Sequence, residues 1–453
     1  MWVFKRDEKH LTATTSLNNE KPELVRTIGR WSLVALMANS ILGAGIFGLP
    51  SLIAARLDGY SPLSCLIAGC GALIIASCIA EISSRFEKTG GLYLYGREAF
   101  GRFAGLVIAW LMLLTRIAAP AAAADLFANY LGQFIPLLRG KLSEVIVVGV
   151  LIGHLAILNY VGVKTGKTVS NIFSAMKVGM LVLFIAGGLI ALALRPELRV
   201  PLHFTPTTAE GWFAALLLLV FGYGGFEGAL IVGGESRSPK RDMPFALLAA
   251  LALQCFLYTG VVYVVVSTLP GAGSSVRPLA DAARNFLGGW GATAIGIGAL
   301  ISTYGYLSAN LLHSARIPFS LAEQGDFPSA FARIHERFRT PHVSIAGYSL
   351  VLLVFAALGD FRWNAILSAA TRLVVYGMMA VALLVMRKQN GPAPFRLPAG
   401  IAFSAMSMAI VLALLGHIGQ GEAAVLGLTA IGALANWAVL KQPRDVIGGK
   451  ESS

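Results

Sequence analysis

The chain has 453 residues, of which 56% are hydrophobic and only 13% are charged, whereas an ordinary soluble domain is about 25% charged. A single soluble core stops growing at about 250–300 residues, so this many apolar side chains need the lipid bilayer as their solvent. The net charge of +13 is spread over short loops between apolar segments, which argues against nucleic acid as a partner. Composition therefore predicts an all-α polytopic membrane protein.

Twelve apolar segments are long enough to cross a bilayer, for which a helix needs about 20 residues. In chain order the predicted spans are 30–55, 62–84, 103–131, 143–161, 169–194, 211–234, 245–268, 287–315, 342–359, 363–386, 399–417 and 421–440. The segment around 270–278 is rich in Gly, Ser and Pro and is predicted to be a loop.

Lysine and arginine alternate between rich and poor loops along these spans. The amino-terminal tail and every second loop after it carry the larger share of basic residues. Cytoplasmic loops are the ones enriched in Lys and Arg, so we expect both termini in the cytosol of a multi-pass cell-membrane protein. The predicted domains are a tail at 1–29, a transmembrane transporter domain at 30–440 and a second tail at 441–453.

Two of the spans are interrupted by glycines near their middle, at Asn39–Pro50 and at Phe221–Glu227. Non-helical backbone at membrane depth is tolerated only where it lines a cavity or is buried in protein. Broken helices in corresponding positions of two halves mark the binding site of a secondary transporter. The alternative, that these glycines only allow close helix packing, stays open.

If the first and sixth spans correspond, spans one to five and six to ten form two inverted repeats, at about 30–194 and 211–386. The helices at about 399–440 are then additions outside the 5+5 repeat. Half-helix N-termini favour a carboxylate, and half-helix C-termini favour an ammonium group or a cation. An amino acid zwitterion carries both groups and is the predicted substrate.

Several motifs resemble the amino acid–polyamine–organocation (APC) superfamily. They lie at Gly43–Pro50, Glu81–Phe86, Thr89–Tyr93, Phe221–Glu235, Ser238–Pro244, Ser314–Arg316 and Ala322–Pro328. The resemblance covers about residues 25–400. It implies the leucine-transporter-type inverted-repeat fold and an amino acid permease.

The resemblance also implies which residues bind the substrate. Phe221 resembles the family's gating aromatic, which covers the substrate on the extracellular side. Ala44 stands where many relatives carry Ser or Thr, so one hydroxyl donor is missing. The predicted substrate-binding residues are Ser40, Ile41, Ala44, Gly45, Phe221, Gly222, Tyr223 and Gly224.

Charged side chains within spans are expensive and therefore of interest. Lys177 resembles a lysine that stands in the sodium site of coupled relatives, where it either couples transport to protons or serves as a structural strut. Glu227 is read either as an organiser or protonation site, or as a structural carboxylate. Arg372, the repeat counterpart of Lys177, is hypothesised to close an external polar gate. Glu81 is expected to pair with Arg85.

Arg116 lies in the middle of the third span. It is hypothesised to contact an acidic substrate side chain or a helix partner such as Glu227, with the helix partner favoured. No role for it in binding or gating is assigned from the sequence alone.

The predicted function is secondary active transport of amino acids by alternating access, with proton coupling or exchange. No cofactor or metal is predicted, and an enzyme is not expected, since neither an HExxH nor a GxSxG motif occurs. The nearer alternative is a polyamine or organic-amine carrier of the same fold. The expected partners are the small-molecule substrate, protons and the lipid bilayer.

Overall fold

A computed structural model describes residues 28–87, 90–162, 167–204, 206–231 and 235–439, with the backbone alone for 167–175. The predicted terminal tails fall almost wholly outside these ranges. Within them the structure is built of helices and loops, and the only β contact is an isolated bridge between Ile28 and Ser236. The predicted all-α class is confirmed for this part of the chain.

The first half of the described chain contains seven helices, the first two of which are the halves of one broken span. They are α1 (Arg30–Ile41), α2 (Gly45–Leu57), α3 (Ser61–Ser83), α4 (Gly91–Phe100), α5 (Arg102–Phe134), α6 (Lys141–Val161) and α7 (Lys167–Leu194).

The second half begins with another broken span and ends with two helices beyond the repeat. Its helices are α8 (Ala209–Tyr223), α9 (Phe226–Leu230), α10 (Pro239–Thr268), α11 (Pro278–Ser314), α12 (Arg316–Glu323), α13 (His342–Leu358), α14 (Phe361–Gln389), α15 (Gly400–Leu415) and α16 (Gln420–Val439).

Nine helical segments of the described residues are long and apolar enough to cross a membrane, with α2 and α3, α8 and α9, and α11 and α12 each counted as one continuous segment. Two further apolar helices, α13 and α15, are shorter than the others. The protein is therefore a multi-pass membrane protein, and the count of twelve crossings stays a prediction.

Three details differ from the predicted spans. The short helices α4 and α12 lie in segments that the apolar-length criterion excludes. α11 begins at Pro278 rather than near residue 287, and it is kinked at Gly288, where φ is 74°. The polar residues ahead of this glycine hid the first helical part from a search for apolar segments.

The two broken spans pack against each other in the centre of the molecule. α1 lies against α9, and α2 lies against α8. Below the breaks the chain is tied by backbone bonds from Ile28 N–H to the Glu235 carbonyl (3.1 Å) and from Arg237 N–H to the Ile28 carbonyl (3.0 Å). Helices α5 and α14 pack closely beside this pair. The fold thus brings the two breaks face to face.

Candidate substrate-binding site

The first broken span changes direction between Ile41 and Gly45. Leu42 leaves the helical region with φ −67° and ψ 69°, although its N–H still bonds to the Ala38 carbonyl. The C-terminal end of α1 and the N-terminal end of α2 therefore meet at this point. Such ends carry unpaired peptide groups and opposite partial charges.

The start of α2 has no capping side chain. Its N-cap residue is Ala44, whose carbonyl accepts the Phe47 N–H (3.0 Å) but which has no side-chain oxygen. Within the described chain no side chain accepts a hydrogen bond from the N–H groups that open α2, and the Tyr130 hydroxyl donates instead to the Phe47 carbonyl (3.1 Å). Because a helix N-terminus is a ready anion site, the first break offers a place for a carboxylate from outside the chain.

The second broken span passes through Gly224 and Gly225, between the end of α8 and the start of α9. Gly225 has φ 114°, a conformation that side chains disfavour. A Cβ on Gly225 would also lie 2.4 Å from the carbonyl oxygen of Ser40. The glycine is therefore required, and through it the second break touches the end of α1 directly.

The second break is neutralised by its own carboxylate. Glu227 accepts the Gly225 N–H at Oε2 (2.7 Å) and the Arg372 Nε–H at Oε1 (3.0 Å). The Tyr376 hydroxyl also donates to Oε1, and Arg372 donates a further bond to the Ser368 hydroxyl (2.7 Å). Both charged side chains are buried. Three donors thus occupy this carboxylate, so it has little capacity left for a ligand.

A small pocket lies between the two breaks. Its volume of about 20 Å³ gives room for roughly one water molecule, so the two breaks are closely packed in this conformation. The lining residues are Ser40, Ile41, Gly43, Ala44, Gly45, Ala119, Phe221, Gly222, Gly224, Gly225, Tyr258, Tyr306 and Arg372.

Seven of the eight predicted substrate-binding residues line this pocket, and Tyr223 is the one that does not. The Tyr223 hydroxyl donates instead to the Cys65 carbonyl of α3 (2.7 Å). Successive helical residues are about 100° apart, so Phe221 and Tyr223 point to nearly opposite sides of α8. Because Phe221 faces the pocket, Tyr223 faces away from it.

Tyr258 of α10 is a pocket residue that the sequence analysis missed. Its hydroxyl is buried beside the Gln254 side chain one turn earlier, and no described residue gives it a hydrogen bond of good geometry. It lies 2.8 Å from where a Cβ on Gly45 would stand, and so it reaches the start of α2. A polar hydroxyl within an apolar span was the available signal, since such a group needs a partner in a membrane.

Phe221 contacts a second aromatic that was not predicted, Phe361 at the start of α14. The ring centroids are 6.1 Å apart and the planes are nearly perpendicular, at 86°. This is the edge-to-face arrangement that aromatic pairs favour. The Phe361 ring also packs on α2, where a Cβ on Gly48 would lie 2.7 Å from it. Phe221 thus lines the pocket, and Phe361 packs behind it.

Arg372 lines the pocket and packs against the second break, since a Cβ on Gly224 would lie 2.5 Å from its Nε. Arg116 of α5 also packs against α9, with a guanidinium nitrogen 2.8 Å from where a Cβ on Gly228 would stand. Glu227 forms its ion pair with Arg372, and the Arg116 charge acts on the same carboxylate without a direct bond. The expected relation between Arg116 and Glu227 thus stays a prediction.

Lys177 of α7 holds the first break. Its ammonium group donates to the Leu42 carbonyl and to the Asn39 side-chain oxygen (3.4 Å), and it is 8% exposed. In the part of the chain that the structure describes, no carboxylate forms an ion pair with it. Each break is therefore contacted by one buried cation, Lys177 at the first and Arg372 at the second.

Glu81 pairs more closely with a distant arginine than with its predicted neighbour. Arg387 donates to both carboxylate oxygens (2.8 and 2.5 Å), and the Leu397 N–H donates to Oε2 (2.8 Å). Arg85 lies 3.6 Å away. The prediction of a local pair is thus correct only in part, because Glu81 also fastens α3 to the end of α14.

Two helices broken at the same depth and closed around a small pocket give this membrane protein the features of a secondary transporter. The chain belongs to the amino acid permease family, whose sequence model matches residues 28–432. This confirms the resemblance to APC superfamily permeases.

Individual relatives are similar over most of the chain. A methylthioribose transporter of Bacillus subtilis (strain 168) is 26% identical over 404 residues, which cover 85% of this chain and 87% of the relative. The branched-chain amino acid permease BcaP of the same organism is 24% identical over 435 residues, 92% of each chain. The vacuolar cationic amino acid transporter 2 of Arabidopsis thaliana is 27% identical over 405 residues, which cover 85% of this chain and only 64% of that longer relative.

Proposed function

We propose that this permease carries zwitterionic amino acids by alternating access, with the substrate bound between the two breaks. The observation that carries the proposal is the uncapped start of α2 beside the unpartnered Tyr258 hydroxyl. Both offer hydrogen-bond donors to the same place in the pocket. A substrate carboxylate supplies the acceptor that they lack.

The substrate ammonium group has its own subsite in this arrangement. The C-terminal ends of α1 and α8 reach the pocket, and the last carbonyls of a helix carry partial negative charge. Ser40 and Phe221 stand at these ends. The α-carboxylate and α-amino groups are thus held mainly by backbone, which leaves the substrate side chain to face Ala119, Tyr306 and the Arg372 guanidinium.

We propose twelve membrane-spanning helices in two inverted repeats of five, with α15 and α16 outside the repeats and both termini in the cytosol. The buried cations support this arrangement. Lys177 comes from the fifth span and holds the break of the first, while Arg372 comes from the tenth and holds the break of the sixth. Such correspondence is expected of inverted repeats.

The outer gate of this proposal is the pair of rings Phe221 and Phe361. Under the predicted topology, both stand on the extracellular side of the breaks. Arg372 adds a polar contact below them through its bond to Glu227. A pocket of about 20 Å³ is too small for any amino acid, so α14 and the broken helices have to move before a substrate enters.

Lys177 takes the place of the sodium ion of coupled relatives in this proposal, as a fixed positive charge on the Leu42 carbonyl. Transport is then coupled to protons or proceeds by exchange, and Glu227 organises the second break. A role for Lys177 or Glu227 as a proton carrier is the alternative, which the pH response of variants decides.

A carrier for polyamines or other amines would need a free carboxylate in the pocket. Glu227 is the nearest one, and its oxygens already accept bonds from Arg372, Tyr376 and Gly225. The pocket lining itself contains one charged side chain, the cation Arg372. This charge balance favours a substrate with a carboxylate.

The decisive experiment is uptake by reconstituted protein of labelled amino acids, with spermidine and methylthioribose as alternative substrates. The Tyr258→Phe variant should weaken amino acid binding about tenfold to a hundredfold, because a hydrogen bond to a charged group contributes about 1.5–3 kcal/mol. Tyr223→Phe is the matched control, since its hydroxyl is bonded away from the pocket. Binding of spermidine or methylthioribose but of no amino acid would refute the proposal.

A further inference from the structure

Asp125 of α5 is a buried carboxylic acid that the proposed transport cycle has not used. It is 1% exposed, and no described residue gives either of its oxygens a hydrogen bond of good geometry. An ionised carboxylate without a donor is very costly in such a place. Asp125 is not among the charged residues predicted from the sequence, because it follows an alanine-rich run that reads as uniformly apolar.

A second unpartnered acceptor stands next to Asp125. Asn364 of α14 interacts with it, and the Asn364 side-chain oxygen also lacks a partner. The amide nitrogen of Asn364 is already bonded to the Phe355 carbonyl (3.2 Å). Its second N–H is the one donor near Asp125, and the Asn364 side-chain oxygen is left without a donor of its own. One proton on Asp125 would turn an acceptor into a donor for the Asn364 oxygen.

Three charged side chains stand around Asp125. Glu144 and Lys141 of α6 form an ion pair with each other (3.7 Å). Asp360 stands just before α14, and its carboxylate is held by the Trp363 N–H (2.7 Å). The one cation among these three side chains is thus already paired with Glu144.

Both partners of this contact adjoin the outer gate. Asn364 lies one turn after Phe361 on α14. Leu126 follows Asp125, and its side chain would lie 3.1 Å from a Cβ on Gly48, the same glycine that the Phe361 ring covers. Opening the Phe221–Phe361 pair by a movement of α14 would therefore separate Asn364 from Asp125 and let water reach the acid.

We propose that Asp125 is a proton-binding site linked to the outer gate: it is a neutral acid bonded to Asn364 when the gate is closed, and it ionises when the gate opens. On opening, the O–H bond breaks and the proton passes to extracellular water, and on closing it returns. The inference rests on the proposed alternating access, and it makes acidic external solution favour the closed gate.

The first test is infrared spectroscopy of the reconstituted full chain. A carbonyl band of a protonated carboxylic acid is expected in the wild type and absent from Asp125→Asn, but retained in Glu144→Gln, a neighbouring carboxylate. In Asn364→Ala the band should move to higher frequency, because the acid loses its acceptor. If the wild type and Asp125→Asn show the same bands in this region, Asp125 is not protonated and the proposal is overturned.

The second test measures the gate itself. A cysteine introduced by Ala119→Cys in the pocket is labelled from outside with a membrane-impermeant thiol reagent and read at that position by mass spectrometry. Asparagine mimics the neutral acid, so the Asp125→Asn protein should keep its gate closed at every pH, whereas the wild type opens as Asp125 ionises. The labelling rate of Asp125→Asn divided by that of the wild type, both carrying Ala119→Cys, should therefore fall as external pH rises. Ionisation of the introduced thiol also changes its labelling rate with pH, but it does so in both proteins, and dividing the two rates removes this effect.

A ratio that does not change with pH would overturn the link to the gate, and a ratio that follows sodium concentration at fixed pH would replace the proton by a cation. If the cysteine at position 119 is not labelled at any pH, alternating access is contradicted, and with it the proposed function. The infrared band would still decide whether Asp125 holds a proton, so the two failures are distinguishable.

Discussion

The two breaks at the centre of this permease have similar backbones but opposite electrostatics. At the second break Glu227 caps the start of α9 and pairs with Arg372, so the charges are balanced within the chain. At the first break Ala44 leaves the start of α2 uncapped, and Lys177 has no carboxylate partner among the described residues. The first break therefore lacks an anion, which a substrate carboxylate can provide, while the second is complete without a ligand.

This comparison revises where recognition lies. The side chains of the sixth span, Phe221, Tyr223 and Glu227, are the chemically richer set, which suggests that selectivity resides there. In the structure Glu227 is spent on the chain itself and Tyr223 points to α3. Under the proposed function, the first break therefore binds the substrate carboxylate, while the second break contributes the carbonyl end of α8 and keeps its charges paired within the chain.

The largest expected effect comes from unbalancing the second break. Glu227→Gln leaves the Arg372 charge buried without its partner, which should cost about 3–5 kcal/mol of stability. The measurement is thermal stability of the purified protein in detergent. A double variant, Glu227→Gln with Arg372→Met, removes both charges and should be more stable than Glu227→Gln alone. Equal loss in the single and double variants would show that the pair is not the source of the effect.

Backbone geometry at the breaks gives the next effect. Gly225→Ala places a side chain at φ 114° and against the Ser40 carbonyl, and an unfavourable backbone conformation alone costs about 1–3 kcal/mol. Gly43→Ala is the matched control at the first break, because its nearest neighbour would be 3.7 Å away. Folded yield, rather than uptake, is compared, because Gly43 lines the pocket, and it should fall for Gly225→Ala only. Similar losses for both variants would contradict the direct contact of the two breaks.

How far the sequence could predict this site follows from the range of the interactions. The breaks can be predicted because they are local features: glycines within one apolar segment can be recognised without knowing what the segment packs against. Seven of the predicted residues do line the pocket. The Glu227–Arg372 pair, the Phe361 ring and the Asp125–Asn364 contact join residues far apart in the chain. Such pairs depend on how helices pack, and a single sequence contains no measure of that. Tyr258 was overlooked for the same reason, since its importance lies in the partner it lacks.

The cation of the first break should tolerate removal better than that of the second. Lys177→Met leaves the Leu42 carbonyl unpaired, at about 1–3 kcal/mol, but it strands no opposite charge. We expect residual uptake that still responds to an inward-directed pH gradient, measured as the ratio of uptake with and without the gradient. If uptake by the wild type responds to the pH gradient and uptake by Lys177→Met does not, the coupling proton is assigned to Lys177 instead. If uptake by the wild type requires sodium, Lys177 does not take the place of the sodium ion.

The smallest expected effect concerns the rings above both breaks. Phe361→Leu keeps an apolar side chain but loses the edge-to-face contact with Phe221, which is worth about 0.5–1.5 kcal/mol. Because this contact exists only while the outer gate is closed, its loss should raise the outward-open population about twofold to tenfold. Labelling of Ala119→Cys from outside measures this population. Phe103→Leu, a ring remote from the pocket that packs on Trp437, should leave labelling unchanged. If both substitutions act alike, the pair Phe221–Phe361 does not gate the pocket, and closure depends instead on the polar contact of Arg372 with the second break.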